Sequence, residues 1–175
     1  GPTAGVALLG QGEGGSGINA ANVDIFGWVD SNAAFSRTGL WVDASSAINA
    51  TNAIALAGAA HSSVYQPGAV APVGVRIGGR LQLAEPFGGG NELRDPGAPV
   101  RGLNISGTVS EGAAGAVRVP RYGVLIEPGA ALLVSLPAPS TITGTDLSAN
   151  DEVSVRFAPG TADFTTATDL AISGN

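Results

Sequence analysis

Side chains able to do chemistry are few in this chain and lie apart. Imidazole occurs once, at His61, and there is no cysteine, methionine or lysine. Nucleophile–base pairs and metal centres at neutral pH are normally built from imidazole, thiolate or amine. His61 has no spaced histidine or cysteine partner. No Gly-x-Ser-x-Gly elbow accompanies it, so a Ser-His-Asp triad finds no local support. His61 therefore reads as a surface or structural residue. Carboxylates are commoner: a glycosidase needs two of them about 5–10 Å apart in a cleft. The fourteen acids offer many pairs and favour none.

Three further motifs match a chemistry in letters and fail it in context. Asp146, Ser148 and Asn150 have the first spacings of a calcium loop. The central glycine is missing, however, and Phe157 stands where the bidentate glutamate belongs, so a polar turn before a strand is expected. Gly10-x-Gly12-x-x-Gly15 and Gly12-x-Gly14-x-x-Gly17 match the dinucleotide fingerprint. That motif needs a helix after the glycines to meet the pyrophosphate, and Ile18 to Asp24 is a poor helix. Trp28, Trp41, Tyr65 and Tyr122 are candidates for a sugar-stacking platform. In half-buried strands such rings more often serve a core or an interface. Asn49-Ala50-Thr51 and Asn104-Ile105-Ser106 are glycosylation sequons, of consequence only in a eukaryotic host. No catalytic, cofactor-binding or metal-binding residue is assigned, and an enzyme is not expected.

Valine, isoleucine, leucine, alanine and glycine dominate the rest, which suits a shape better than a reaction. The 175 residues fit one domain or one domain with arms. Net charge is −6, and the eight arginines are scattered, without the basic stripe of a nucleic-acid binder. No apolar run reaches the roughly 18 residues of a membrane helix, and no basic n-region precedes a hydrophobic stretch at the N-terminus, so a signal peptide is not expected.

Along the chain, residues 1–22 read as a Gly-rich arm and 23–175 as a β-domain. Val23 to Asp30 and Leu40 to Asp43 are β-rich, and Trp-Val-Asp recurs in both, as in a hairpin or two neighbouring strands. Residues 45–60 place Ile48, Ala50, Ile54 and Leu56 at even spacing, as in a half-buried strand, with an Ala-rich helix as the competitor. Val73, Val75 and Ile77 alternate up to Gly78-Gly79, where a bulge or turn is expected, and Leu81 and Leu83 resume the pattern. Phe87 to Pro99 reads as an exposed loop. Glu127-Pro128-Gly129-Ala130 fits a type II turn. Val153, Val155 and Phe157 give the cleanest alternation. About eight short strands with several long connections predict a β-sandwich of jelly-roll type.

The arm (Val6 to Gly17), the strand and turn from Tyr122 to Ala130 and the strand from Val153 to Phe157 together give a pattern that resembles the small capsid and capsid-decoration proteins of bacterial or archaeal viruses. That resemblance implies a structural virion protein in a shell. Its partners are copies of itself, as dimers or trimers, and other shell subunits, with no cofactor, no direct nucleic-acid contact and no membrane. The competing expectation is an extracellular carbohydrate- or surface-binding sandwich, which requires at least two of the four candidate rings exposed on one face.

Overall fold

Ile18-Asn19-Ala20-Ala21-Asn22 and Ile48-Asn49-Ala50-Thr51-Asn52 are two copies of one pattern, and the fold lays them side by side: Ile18 pairs with Ile48, Asn19 with Asn49 and Ala20 with Ala50. A computed structural model describes residues 3–10, 16–30, 37–62, 72–84, 100–111, 121–147, 155–159, 163–166 and 170–174. The strands are β1 (Thr3–Leu8), β2 (Ser16–Asp30), β3 (Arg37–Val42), β4 (Ser46–Ser62), β5 (Val73–Ile77), β6 (Arg80–Leu83), β7 (Gly102–Glu111), β8 (Tyr122–Ile126), β9 (Ala131–Val134), β10 (Ser140–Asp146), β11 (Val155–Phe157), β12 (Asp163–Thr166) and β13 (Leu170–Gly174).

Every pairing among the described residues is parallel. One sheet runs β1-β3-β5-β8-β11. In the other, β2 pairs with both halves of β4, while β6 covers Ala47 to Ala50 and β7 covers Ala53 to Ser62. The second sheet thus divides at Thr51 and Asn52 into two faces. The chain passes through three faces in turn and returns to the first, and the described residues form a solenoid of five rungs. This corrects the jelly-roll sandwich, which requires antiparallel strands. The predicted arm is corrected too: β1 and the start of β2 are paired strands of the first rung, against β3 and β4. The two Trp-Val-Asp segments do not form a hairpin, because β2 and β3 lie in different sheets.

Parallel register stacks like on like. Inside the solenoid, Leu40, Val75 and Val124 form one column, and Leu56, Ile105 and Ile142 another; all are essentially inaccessible to solvent. Residues 46–62 form a strand through both faces, with Ile48, Ala50, Ile54 and Leu56 buried as their even spacing requires. Gly129 has φ +80° at the third position of the Glu127–Ala130 turn, and Ala130 N–H donates to Glu127 O at 3.2 Å. The predicted loop at Phe87 to Pro99 and the candidate Tyr65 lie outside the described residues.

Two glycine columns close the section. Gly27, Gly58, Gly107, Gly144 and Gly174 are consecutive register partners on the third face. Gly39, Gly74 and Gly123 oppose them from the first sheet. A Cβ on Gly74 would sit 2.5 Å from Thr108 N, and one on Gly123 would sit 2.6 Å from Gly107 O. The two sheets therefore meet backbone to backbone. This contact separates the large core from a small compartment of Val29, Ala60 and Val109. In the next rung of that compartment, Arg121 Nε donates to Asp146 Oδ2 at 3.0 Å, both side chains being nearly buried.

Gly107→Ala is therefore expected to cost more than about 3 kcal/mol, since backbone on both sides blocks relaxation. Gly129→Ala, with nothing within 4 Å of its added Cβ, should cost only the left-handed penalty of about 1–2 kcal/mol. Chemical denaturation of both variants measures the difference, and equal costs would contradict the close contact.

Candidate functional site

On β4 the side chains alternate between large or core-facing residues and small outward ones. Ile54, Leu56, Gly58 and Ala60 point in; Ala55, Ala57, Ala59 and His61 point out. The outward alanines lie between two strands with longer side chains. On one side β2 places Asp24 opposite Ala55, Phe26 opposite Ala57, Trp28 opposite Ala59 and Asp30 opposite His61. On the other, β7 places Asn104, Ser106, Thr108 and Ser110 opposite the same four residues. The result is a channel along β4 with a floor of methyl groups. One wall carries two aromatic rings between two carboxylates, and the other carries an amide and three hydroxyls.

Phe26 is 61% and Trp28 56% exposed, more than any other aromatic residue whose side chain is described. At the Asn104 end the channel opens into a hollow of about 200 Å³ lined by Asn22, Asp24, Ala55, Arg101 and Asn104. Its walls are fixed by hydrogen bonds. Asn52 Nδ2 donates to Asn22 Oδ1 at 2.6 Å, and Arg101 Nη2 donates to the same oxygen at 3.1 Å. The same two strands repeat the device three residues earlier, with Asn49 Nδ2 donating to Asn19 Oδ1 at 2.8 Å.

The first sheet carries the remaining rings in a different state. The Arg76 guanidinium lies over Trp41, 5.2 Å from the ring centre, and its Nη2 contacts Glu127 Oε1 at 2.6 Å. Arg156 lies 5.5 Å over Tyr122 and donates to its hydroxyl at 2.8 Å. Both rings are half-buried and already stacked. Nearby, the Ser45 hydroxyl donates to Asp43 Oδ2 at 2.7 Å. That bond, with the backbone N–H groups of Ser45 and Ala44 and the positive charge of Arg76, outweighs partial desolvation and holds the Asp43 carboxyl below its ordinary value.

Of the residues singled out in the sequence, Trp28 lies in the channel wall and His61 closes the row of floor residues. Trp41 and Tyr122 sit on the first sheet, so the structure does not gather the proposed ring platform on one face. Asp146 ends β10, faces the small compartment and pairs with Arg121; the rest of the expected polar turn, residues 148–154, lies outside the described ones. A strand, β2, follows the glycine segment where a dinucleotide site needs a helix. Asn104 is exposed in the channel wall, and Asn49 is tied to Asn19. Sequence reasoning missed Phe26 and the three alanines. The available signal was the alternation from Ala53 to Ala60, in which every outward position is alanine.

No protein-family model, curated protein or solved structure matches this chain.

Proposed function

We propose that this chain is a surface-binding solenoid module, which presents the channel along β4 to a polymer or an extended surface. The observation that carries this reading is the side-by-side exposure of Phe26 and Trp28 beside a methyl floor. Large apolar rings are rarely left in water as a pair, and such patches mark contact sites. The parallel sheet beneath gives a stiff base, and the hydroxyl and amide wall supplies hydrogen bonds that a flat apolar patch lacks. The extracellular-binding expectation asked for two of its four rings exposed on one face, and among the described ones only Trp28 is exposed; the present reading rests instead on Phe26 beside Trp28. The virion-shell expectation rested on a jelly-roll pattern, so only its structural part carries forward.

That part has an observation of its own. Among the described residues, columns that are inaccessible in the middle rungs are exposed in the first and last. Val6 is 37% exposed while Leu40 is fully buried, and Ile172 is 50% exposed while Ile142 is fully buried. Column chemistry is the same at the two ends: Gly174 continues the column that begins with Gly27, and Ile172 the one that begins with Ile25. A second copy of this chain, set rung on rung, would extend these two columns in register. This is a head-to-tail contact that does not close on itself.

Binding is tested by retention of the purified protein on cellulose, chitin, xylan and mineral powders. The wild type should be held by at least one, and Phe26→Ala with Trp28→Ala should lower the affinity about tenfold or more with an unchanged circular dichroism spectrum. No retention, or equal retention by the variant, contradicts the reading. Stacking is tested by sedimentation. The wild type should grow with concentration and Ile172→Asp should stay monomeric, whereas a wild type that is monomeric throughout contradicts stacking.

A further inference from the structure

From the chemistry of the channel walls we infer that its ligand is a linear, uncharged glycan, laid along β4 and parallel to the strands. This inference rests on the surface-binding reading and names what is bound.

Three features of the channel select the ligand. The first is the state of its backbone. β4 is an interior strand whose peptide groups are engaged by β2 and β7 over Ala53 to His61. An extended peptide binds a sheet by pairing with free edge groups, and the floor offers none. A ligand seated on this floor is therefore recognised by side chains alone; the edge of β2 lies beyond the aromatic wall.

The second feature is how those side chains are arranged. A pyranose ring has apolar C–H faces and a rim of hydroxyls. Here the apolar surfaces, Phe26, Trp28 and the methyls of Ala55, Ala57 and Ala59, form one wall and the floor. The hydrogen-bonding groups, Asn104, Ser106, Thr108 and Ser110, form the facing wall. A sugar chain lying in the channel meets rings with its faces and amides or hydroxyls with its rim. The rings are two residues apart on one strand, about 7 Å, so they can meet successive parts of one chain. The straight run from Ala55 to His61 spans about 20 Å, room for several sugar units.

The third feature is charge. Asp24 and Asp30 flank the two rings on the aromatic wall, and the chain carries −6 overall. Polyuronates, sulfated glycans and nucleic acids meet repulsion there, although a base could stack on Trp28. Arg101 stands at one end, where Asn22 shares its guanidinium. It suits a hydroxyl or a ring oxygen at the end of the run, and one cation does not offset a polyanion along the whole wall.

The test is calorimetric titration with soluble neutral oligosaccharides (cello-, xylo-, manno- and chito-series) of increasing length, with oligogalacturonate and single-stranded DNA in parallel. Affinity for at least one neutral series should rise with length and level off once the channel is filled, and the two polyanions should not bind. Ala57→Arg fills the floor at an outward position without altering either wall or the core. It should lower the affinity about tenfold or more, as should Trp28→Ala. Length-independent binding, or full affinity in Ala57→Arg, overturns the channel as the ligand's seat. Preference for a polyanion overturns the ligand class. Either failure leaves the surface-binding reading standing if the powders still retain the protein through Phe26 and Trp28. Failure to bind any oligosaccharide, with retention on mineral alone, overturns the glycan and keeps the surface.

Discussion

Backbone-to-backbone contact between the first sheet and the third face is the constraint on which the rest depends. Gly27, Gly58, Gly107, Gly144 and Gly174 stack on one side of it, and Gly39, Gly74 and Gly123 oppose them. A methyl group at most of these positions falls on a carbonyl or an amide of the opposing strand. Two sheets that pack through side chains stay about 10 Å apart; here they meet along a line. That line divides the interior and sets how far each strand can run beyond it. The short columns of Val29, Ala60 and Val109 and the Arg121–Asp146 pair occupy what remains.

The outer face inherits its regularity from this interior order. Because inward residues repeat in register, outward ones do as well, and chemistry on the surface is arranged in columns and rows. The channel along β4 is a row. Its floor exists because three outward positions on one strand are alanine, and its walls exist because the neighbours on β2 and β7 are longer. A mutation inside the glycine columns therefore reaches the channel through the strands, whereas one on the channel floor leaves the core alone.

Much of the β content was legible in the residues, and its arrangement was not. Val73-Val75-Ile77, Leu81-Leu83 and the Glu127–Ala130 turn lie where alternation and turn chemistry place them. Alternation reports which side of a strand is buried but not whether its neighbour runs parallel or antiparallel. A solenoid is recognised by its period, and here the period drifts. Ile18 pairs with Ile48, but Thr38 pairs with Val73 and Val73 with Tyr122. The number of residues from one rung to the next varies, which hides the repeat, and the Ile-Asn-Ala pair in the first two rungs keeps it visible. The site was less legible still. Trp28 is legible as a ring in a β-rich segment, but residue type alone groups it with Trp41 and Tyr122, which Arg76 and Arg156 cover. A run of outward alanines carries no chemical signal until its neighbours are known.

The chain has no cysteine, so introduced pairs report proximity without background. Ala57 and Ser106, forty-nine residues apart, are register partners on β4 and β7, within the range of Cα separations that a disulfide spans. In the double variant Ala57→Cys with Ser106→Cys, mild oxidation should give a quantitative intramolecular disulfide, seen as a mass loss of two hydrogens and a shifted non-reducing gel band. Moving the second cysteine to Asn104, one outward position along, should lower the yield sharply. Equal yields from both pairs, or no disulfide from the first, would contradict the parallel register and the solenoid with it.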